Sequence, residues 1–202
     1  MTAENMLEKT TLDQPHKEKN NNSPKWILIP GASGGVGSAL IQLSKLRGAK
    51  VIAVADKHKK DLVLSVGADH VISREDCNEN LGETLQTLIG QSTVDIVADG
   101  VGGEAWKHLI EVISRGGYYT CCGGIAGPIV EFDLRTFYLN DLIFTGATVT
   151  SPKTFVNLVN YIASNRVKPI VGGVYKLQEL HQAQEAFLAK KHVGNLIINV
   201  QE

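Results

Sequence analysis

The sequence lacks the features that mark a membrane-spanning, secreted or nucleic-acid-binding protein. It has no run of about 18 apolar residues, the length that a membrane-spanning helix needs. The polar N-terminus has no apolar segment followed by a cleavage site, so no secretory signal is predicted. The formal net charge is −1 and no basic stripe is present, which gives no support for nucleic-acid binding. With 202 residues, of which 43% are hydrophobic, the chain can form a globular domain with a core.

Cysteine is also scarce, and its positions exclude a disulfide framework. The three cysteines, Cys77, Cys121 and Cys122, are an odd number without framework spacing. Adjacent residues of a strand point to opposite faces, so Cys121 and Cys122 form neither a usual disulfide nor a metal pair. We therefore expect reduced, buried thiols in a cytoplasmic protein. No spacing of cysteine and histidine suits a metal. The histidines are expected at the surface: His16, His58, His70, His108, His181 and His192.

What is present is a stretch, residues 25–56, with the pattern of a strand, a glycine turn, a helix, a second strand and an acidic residue. The short apolar runs 26–29 and 51–55 are typical of strands that are covered on both faces. Between them, apolar residues recur at helical spacing from Val36 to Leu46. The turn before this helix contains four glycines: Gly31, Gly34, Gly35 and Gly37.

These residue types suit the diphosphate of a dinucleotide. Glycine permits a sharp turn and a close approach of the backbone, because it has no Cβ. The N-terminus of a helix presents unpaired N–H groups and a partial positive charge to an anion. Asp56 follows Gly37 at close to the expected spacing of about 20 residues, and its carboxylate can bind a ribose diol. The alternative is a turn that serves only packing, with Asp56 solvated at the end of a strand.

Strands and helices alternate through the rest of the chain. This alternation predicts an α/β fold: a Rossmann-type, doubly wound, six-stranded parallel sheet with helices on both faces. The strands are predicted at residues 26–29, 51–55, 69–72, 94–98, 118–122 and 142–149. Beside the helix that follows the glycine turn, helices are predicted at residues 57–66, 79–89, 104–113 and 134–139, with a charged loop before residue 79 and a glycine turn at 116–117.

The two ends of the chain differ from this central part. Residues 1–9 are predicted as a short helix, and the polar residues 10–24 as a loop or linker. The predicted division is an N-terminal segment at 1–24, a cofactor-binding domain at 25–150 and an αβαβ tail at 151–202. Within the tail, helices are predicted at 155–165 and 177–189, and strands at 169–175 and 196–200.

Three glycine-bearing turns follow strands of the predicted sheet: Gly31–Gly37, Asp99–Gly103 and Gly123–Gly124. A ligand of a doubly wound sheet lies beyond the carboxyl ends of the strands, near the switch in strand order. Each turn taken alone is also explained by ordinary strand-to-helix connection. Three of them on one edge favour a cofactor cleft.

Six segments occur in order between residues 25 and 200: GASGGVGSALIQLSKLRGAKVIAV, VGADHVI, VDIVADGVGGEAW, RGGYYTCCGG, LIFTGATV and FLAKKHVGNLIINV. With them, the chain resembles the C-terminal, cofactor-binding portion of the medium-chain dehydrogenase/reductase superfamily, in its zinc-type alcohol dehydrogenase and quinone oxidoreductase branches. The resemblance implies an NAD(P)-dependent oxidoreductase that moves a hydride between nicotinamide and a carbonyl, quinone or enone. It also implies that a preceding catalytic domain supplies any zinc ligands, so no zinc is expected in this chain, and that the tail packs on that domain.

The resemblance further implies which residues contact the cofactor. Gly34, Gly35 and Val36 match the turn that faces the pyrophosphate, and Thr2 resembles a threonine near the nicotinamide. No residue is expected to act as a catalytic acid or base, and Asp99 is interpreted as a carboxylate that stabilises its turn. The implied cofactor-binding residues are Gly31, Gly34, Gly35, Val36, Gly37, Asp56, Lys60, Val101, Cys122, Gly123, Ala147 and Val149.

Two of these residues give opposite indications about the choice between NAD and NADP. Asp56 falls where NAD-preferring members place the acid that binds the adenosine ribose. Lys60 lies near a lysine that binds the 2′-phosphate of NADP in other members. Because a carboxylate repels a phosphate dianion, the sequence favours NAD.

Other functions remain to be weighed against an oxidoreductase. A nucleotide-binding or dimer-forming module without turnover is the main alternative. Short-chain dehydrogenases require a tyrosine with lysine four residues on, and none of the five tyrosines has one. An S-adenosylmethionine-dependent methyltransferase would not need the third glycine turn. In relatives the sixth strand pairs across a dimer, and the apolar run at 142–149 predicts a homodimer here.

Overall fold

A six-stranded parallel sheet forms the centre of the computed structural model, which describes residues 1–12 and 24–201. Every neighbouring pair of its strands is parallel. The strands are β1 (Trp26–Pro30), β2 (Lys50–Ala55), β3 (His70–Ser73), β4 (Val94–Asp99), β5 (Ile113–Cys121) and β6 (Ile143–Gly146). Their order across the sheet is β3-β2-β1-β4-β5-β6, so the direction of winding switches between β1 and β4. This confirms the predicted fold class and locates the switch point, where ligands of such sheets bind.

Helices connect the strands, and a small separate sheet lies in the tail. The helices are α1 (Thr2–Glu8), α2 (Gly35–Leu46), α3 (Lys60–Val66), α4 (Arg74–Glu79), α5 (Leu81–Ile89), α6 (Trp106–Glu111), α7 (Leu134–Leu139), α8 (Pro152–Ala163) and α9 (Leu180–Ala189), with short 3₁₀ turns at Lys57–Lys59 and Leu177–Glu179. The tail strands β7 (Val171–Lys176) and β8 (Asn195–Asn199) pair with each other in parallel. None of the helices in the described ranges has both the length and the apolar character needed to cross a bilayer. Most of the predicted linker at 10–24 lies outside the described residues, and the boundaries at 24 and 150 stay predictions.

The two faces of the sheet are buried by different helices, which explains the continuous apolar runs of its central strands. Ile27 and Ile29 of β1 pack into a cluster with residues of α1, α2 and α3. Leu28, between them, packs on the opposite face with residues of α5 and α6. Both faces of β1 are therefore closed to solvent, and only its carboxyl end is available to a ligand.

Three predicted boundaries were wrong. Residues 74–79 form α4 instead of a loop, because the Ser73 side chain caps the helix by accepting from the N–H of Asp76. The predicted turn at 116–117 lies inside β5, where the pairing with β4 shifts register and Gly116 takes a φ of 71°. This is a bulge within a strand, so the glycines do not end it. Strand β6 stops at Gly146 because its neighbour β5 ends at Cys121, the last paired residue.

Helix α1 is an integral part of the core. Met6 and Leu7 are fully buried in the cluster that also contains residues of α2. The carboxylate of Glu4, which is itself 0% exposed, lies 2.6 Å from a guanidinium nitrogen of Arg47 at the end of α2. A buried ion pair of this kind orients two elements more than it adds net stability, because both charges lose their hydration.

We predict that Glu4→Gln lowers the free energy of unfolding by about 3–5 kcal/mol, because the buried guanidinium then loses its carboxylate. Replacing Glu4 and Arg47 together by methionine is expected to cost less, since no charge is left in the core. Urea denaturation followed by tryptophan fluorescence measures both changes. Glu83→Gln, at an exposed position of α5, is the matched control. An equal loss in the single and double variants would contradict the assignment.

Candidate nucleotide-binding site

The first glycine turn, between β1 and α2, is packed too closely to accept side chains. A Cβ on Gly37 would lie 2.4 Å from the carbonyl oxygen of Gly31, and a Cβ on Gly31 would lie 2.9 Å from a methyl group of Val101. Gly31 also has a φ of 64°, and its carbonyl accepts a hydrogen bond of 3.0 Å from the N–H of Gly34. Helix α2 begins at Gly35, directly after this turn. The first N–H groups of a helix have no intrahelical partner, so the turn opens onto a set of anion-binding donors.

The second glycine turn, after β4, is organised by a fully buried carboxylate. Asp99 accepts hydrogen bonds from the N–H of Val101 at 2.7 Å and from the N–H of Gly102 at 3.1 Å. It also accepts a bond of 2.9 Å from the hydroxyl of Tyr119. Burial, together with the neighbouring Asp99 carboxylate, raises the pKa of Tyr119, so this hydroxyl remains a donor. Asp99 therefore stabilises the turn that places Val101 against Gly31.

A cleft of about 540 Å³ lies between these two turns, a volume typical of a small-molecule site. Of the residues predicted to contact a cofactor, Gly31, Asp56 and Val101 line it. Gly34, Gly35, Val36 and Gly37 form the adjoining turn and the start of α2. Other cleft-lining residues were not among the predicted cofactor contacts; Ser33 and Gly102 belong to the predicted glycine turns, whereas Lys59, Arg74, Cys77, Glu104, Ile125, Ala126 and Lys190 lie outside them.

The end of the cleft at β2 is charged. One carboxylate oxygen of Asp56 accepts a hydrogen bond of 2.9 Å from the N–H of His58, and the other lies 2.9 Å from the guanidinium of Arg74. These two donors lower the pKa of Asp56, with the His58 N–H as the larger cause. Burial lowers the pKa of Lys59, which donates a bond of 2.8 Å to the carbonyl of His192. The charged end of the cleft is thus an ionised acid surrounded by cations.

Lys60, the predicted lysine, lies in a different place from Lys59. It begins α3 and is exposed, whereas Lys59 belongs to the preceding 3₁₀ turn and lines the cleft. Arg74 reaches Asp56 because Ala55 and Ser73, the last residues of β2 and β3, are paired. Asp56 and Arg74 directly follow these two residues and therefore lie side by side. The sequence did not indicate Arg74, because the register of β2 and β3 is set by the fold.

The remaining predicted residues lie at the ends of β5 and β6, beyond the lining of the cleft. Cys122 and Gly123 directly follow β5, and the N–H of Cys122 donates to the carbonyl of Asp99 at 3.1 Å. Ala147 is buried, whereas the side chain of Val149 is 84% exposed. The prediction of buried thiols was wrong for Cys121 and Cys122, which are half-buried because they lie where β5 ends, at the carboxyl ends of the strands. Cys77 is buried, as predicted. All three cysteines are free thiols.

The tail lies against the first glycine turn. The N–H of Gly194 donates a bond of 2.9 Å to the carbonyl of Ser33. A Cβ on Gly35 would lie 2.2 Å from the side-chain oxygen of Asn195, so Asn195 lies directly on the start of α2. Lys190, which follows the end of α9, lines the cleft. Nothing in the local pattern of the tail indicated these contacts, because they join residues about 160 positions apart.

The histidines and cysteines do not form a metal centre within residues 1–12 and 24–201. No group of three or more His, Cys, Asp or Glu side chains in these ranges could hold a metal ion. The sequence placed every histidine at the surface, but three of the five described ones are half-buried. His58 and His181 are exposed, His70, His108 and His192 are half-buried, and His16 lies outside the described residues.

Known proteins share both this sequence pattern and this fold. Residues 35–164 match the sequence model of the family described as zinc-binding dehydrogenase. The crystal structure of a putative alcohol dehydrogenase from Sinorhizobium meliloti 1021 has a TM-score of 0.86 and 41% identity, over 98% of this chain and 52% of that chain. The acryloyl-coenzyme A reductase of Metallosphaera sedula is 24% identical over 184 residues, 90% of this chain and 53% of that enzyme.

A third relative was solved with its cofactor. The structure of the 2-octenoyl-CoA carboxylase reductase CinF in complex with NADP and 2-octenoyl-CoA has a TM-score of 0.81 and 26% identity, over 97% of this chain and 46% of that chain. The chain therefore spans about half the length of the relatives that it matches. Together the matches confirm the resemblance that the sequence motifs indicated.

We predict that Gly37→Ala opens the first turn and costs about 1–3 kcal/mol of unfolding free energy, as overpacking of a close contact does. The added methyl group would meet the backbone of residues 31 and 32, which cannot rotate away as a side chain can. Thermal unfolding measures the loss. Gly146→Ala is the control, because an added Cβ there has no atom within 4 Å. Equal stability of the two variants would contradict this description of the turn.

Proposed function

Because the chain belongs to the zinc-binding dehydrogenase family, we propose that it binds NAD(P) in the cleft between its glycine turns and serves hydride transfer between the nicotinamide and a carbonyl, quinone or enone. The observation that carries the proposal is the closely packed turn at Gly31–Gly37, which leads directly into the N-terminus of α2, where backbone N–H groups can bind a diphosphate. The nicotinamide supplies the hydride chemistry when bound. The residues of this chain bind and orient it.

Each part of the dinucleotide has proposed contacts. The backbone of Gly34, Gly35 and Val36 binds the pyrophosphate through N–H groups, assisted by the partial charge of the helix. Asp56 binds the adenosine ribose from the end of β2. At the other end, the side chain of Val101 and the backbone of residues 122–123 border the nicotinamide ribose. The backbone of Ala147 and Val149 and the exposed side chain of Val149 border the nicotinamide ring.

We propose NAD as the preferred cofactor. Asp56 has a lowered pKa and is ionised at neutral pH, so it repels the 2′-phosphate of NADP and accepts hydrogen bonds from the 2′-hydroxyl of NAD. The ion pair with Arg74 weakens this repulsion. Lys60 is the 2′-phosphate ligand that the sequence predicts, but Lys59 and Arg74 line the cleft and are the better placed cations. The preference for NAD is therefore modest.

The test is equilibrium binding of NADH and NADPH, followed by nicotinamide fluorescence. We expect tighter binding of NADH, and we expect Asp56→Ser to weaken it about tenfold, the effect of losing a hydrogen bond to a charged group. Arg74→Gln should weaken NADPH more than NADH, because it removes a cation and leaves the carboxylate. The exposed Lys60→Gln is the comparison for Arg74→Gln. Failure to bind either nucleotide at millimolar concentration would overturn the proposal.

The second candidate is a nucleotide-binding module without turnover. It is favoured by the chemistry of the cleft, where the ionisable groups at the β2 end make ion pairs that suit binding, and Asp99 is fully engaged in its turn. Addition of quinones and enones to the complex with NADH separates the two functions. Oxidation of NADH at 340 nm supports the enzyme, whereas tight binding without oxidation supports the module.

We also propose a cytoplasmic location, since the three cysteines are free thiols.

We propose a homodimer through β6, which lies at the edge of the sheet. The edge is apolar: Ile143 of β6 is 40% exposed, and Leu134, Tyr138 and Leu139 of the adjacent α7 are at least 60% exposed. An uncovered edge strand with apolar neighbours is prone to pair with another chain.

We expect Ile143→Lys to convert the dimer to a monomer at micromolar concentration, because a charged side chain would be buried between the paired edges. Analytical ultracentrifugation measures the change. Val200→Lys, at an exposed apolar position in the tail, is the matched control and should leave the dimer intact. A monomeric wild-type chain, or a dimer that survives Ile143→Lys, would contradict pairing through β6.

A further inference from the structure

Helix α1 holds the connection between β6 and α8, residues 147–151, by polar side chains on one face. The side-chain amide of Asn5 donates a hydrogen bond of 3.3 Å to the carbonyl of Val149. The ammonium group of Lys9 donates to the carbonyl of Gly146, the last residue of β6. Lys9 is the residue that follows α1, and its side chain and that of Asn5 both reach the segment at the end of β6.

A third residue of that face ties α1 to the far end of the same connection. Glu8 accepts a hydrogen bond of 2.6 Å from the hydroxyl of Thr154, which is fully buried. Thr154 in turn lies in the first turn of α8, where its N–H donates to the side chain of Ser151 at 3.1 Å. Three hydrogen bonds therefore hold the connection: at Gly146 before it, at Val149 within it and at Thr154 after it.

The helix that makes these contacts is itself firmly placed. Glu4 forms the buried ion pair with Arg47 of α2, and the hydroxyl of Thr120 in β5 donates to the carbonyl of Met6 at 3.4 Å. Helix α1 is thus fixed by contacts with α2 and β5, and it in turn fixes the position of residues 147–151.

The connection depends on these contacts because the sheet does not hold it. The strand pairing of β6 ends at Gly146, and the N–H of Ala147 makes the last bond to β5, 2.8 Å from the carbonyl of Cys121. After Ala147, the side chain of Val149 is 84% exposed while its carbonyl is the acceptor for Asn5. The backbone of this segment is held from α1, and the side chain of Val149 stays exposed.

We infer that α1 is a clamp that sets the position of residues 147–151, and that Asn5 and Lys9 are positioning residues for the nicotinamide end of the cofactor site. The inference rests on the proposed function, in which Ala147 and Val149 border the nicotinamide. The contacts are made to backbone carbonyls, so α1 sets the position of the segment that borders the nicotinamide without contacting the nicotinamide itself. It acts on the connection after β6, away from the adenosine end at β2.

The test compares two ligands that share the adenosine and diphosphate groups, NADH and ADP-ribose, of which only NADH has a nicotinamide. The variants are Asn5→Leu and Lys9→Met, which remove the donors and keep side chains of similar size. We expect each variant to weaken the binding of NADH about fivefold, as the loss of one hydrogen bond does. The binding of ADP-ribose should change less than about twofold. Lys9→Arg restores a donor and should restore NADH affinity. Lys153→Met, at an exposed position of α8, is the matched control.

Hydrogen exchange of the protein without nucleotide provides a second readout. The amides of residues 147–151 should exchange faster in Asn5→Leu and Lys9→Met than in wild type or Lys153→Met. Unchanged exchange with unchanged NADH affinity would overturn the clamp. Equal weakening of NADH and ADP-ribose would also overturn it, because the effect would then be a general loss of structure. A wild-type chain that binds neither ligand would instead overturn the proposed function itself.

Discussion

The close contact of backbone with backbone at the first glycine turn is the constraint on which the rest of the structure depends. Gly37 packs against the carbonyl of Gly31, and Gly31 packs against Val101 from the second turn. These contacts bring the ends of β1 and β4 together at the switch point of the sheet. The atoms that Gly37 contacts are backbone atoms, which cannot rotate away as a side chain can. A methyl group at either glycine would separate the strand ends and fill the site.

Around this contact, buried polar groups connect the site to the core. Asp99 fixes the second turn through two backbone N–H groups and receives the hydroxyl of Tyr119. Tyr119 also belongs to an aromatic cluster, in which Trp106 lies 6.0 Å from it and 5.1 Å from Phe132, ring centre to ring centre. The loop after β5 is held on the sheet by this cluster. The shape of the cleft therefore depends on the aromatic cluster around Tyr119, which lies outside the cleft.

The two ends of the chain complete the site from opposite sides. The tail lies on the first glycine turn through Gly194 and Asn195 and adds Lys190 to the cleft. Helix α1 packs on α2 and β5, and polar side chains from it and from Lys9 hold the connection after β6. In this arrangement the glycine turns lie at the switch point of the sheet, and the two ends of the chain add contacts around them.

The sequence by itself determined the βαβ unit, the order of the six parallel strands along the chain, the three glycine turns and the acid at Asp56. These features depend on local properties, namely apolar periodicity, the absence of a Cβ and a fixed spacing along the chain. Only the tertiary structure decided which cations surround Asp56, that Asn195 lies on α2, and that α1 holds residues 147–151. Those contacts join residues from 18 to 160 positions apart, and their geometry follows from strand register and helix packing. Strand register and helix packing are settled by the fold as a whole, because no short segment contains both partners.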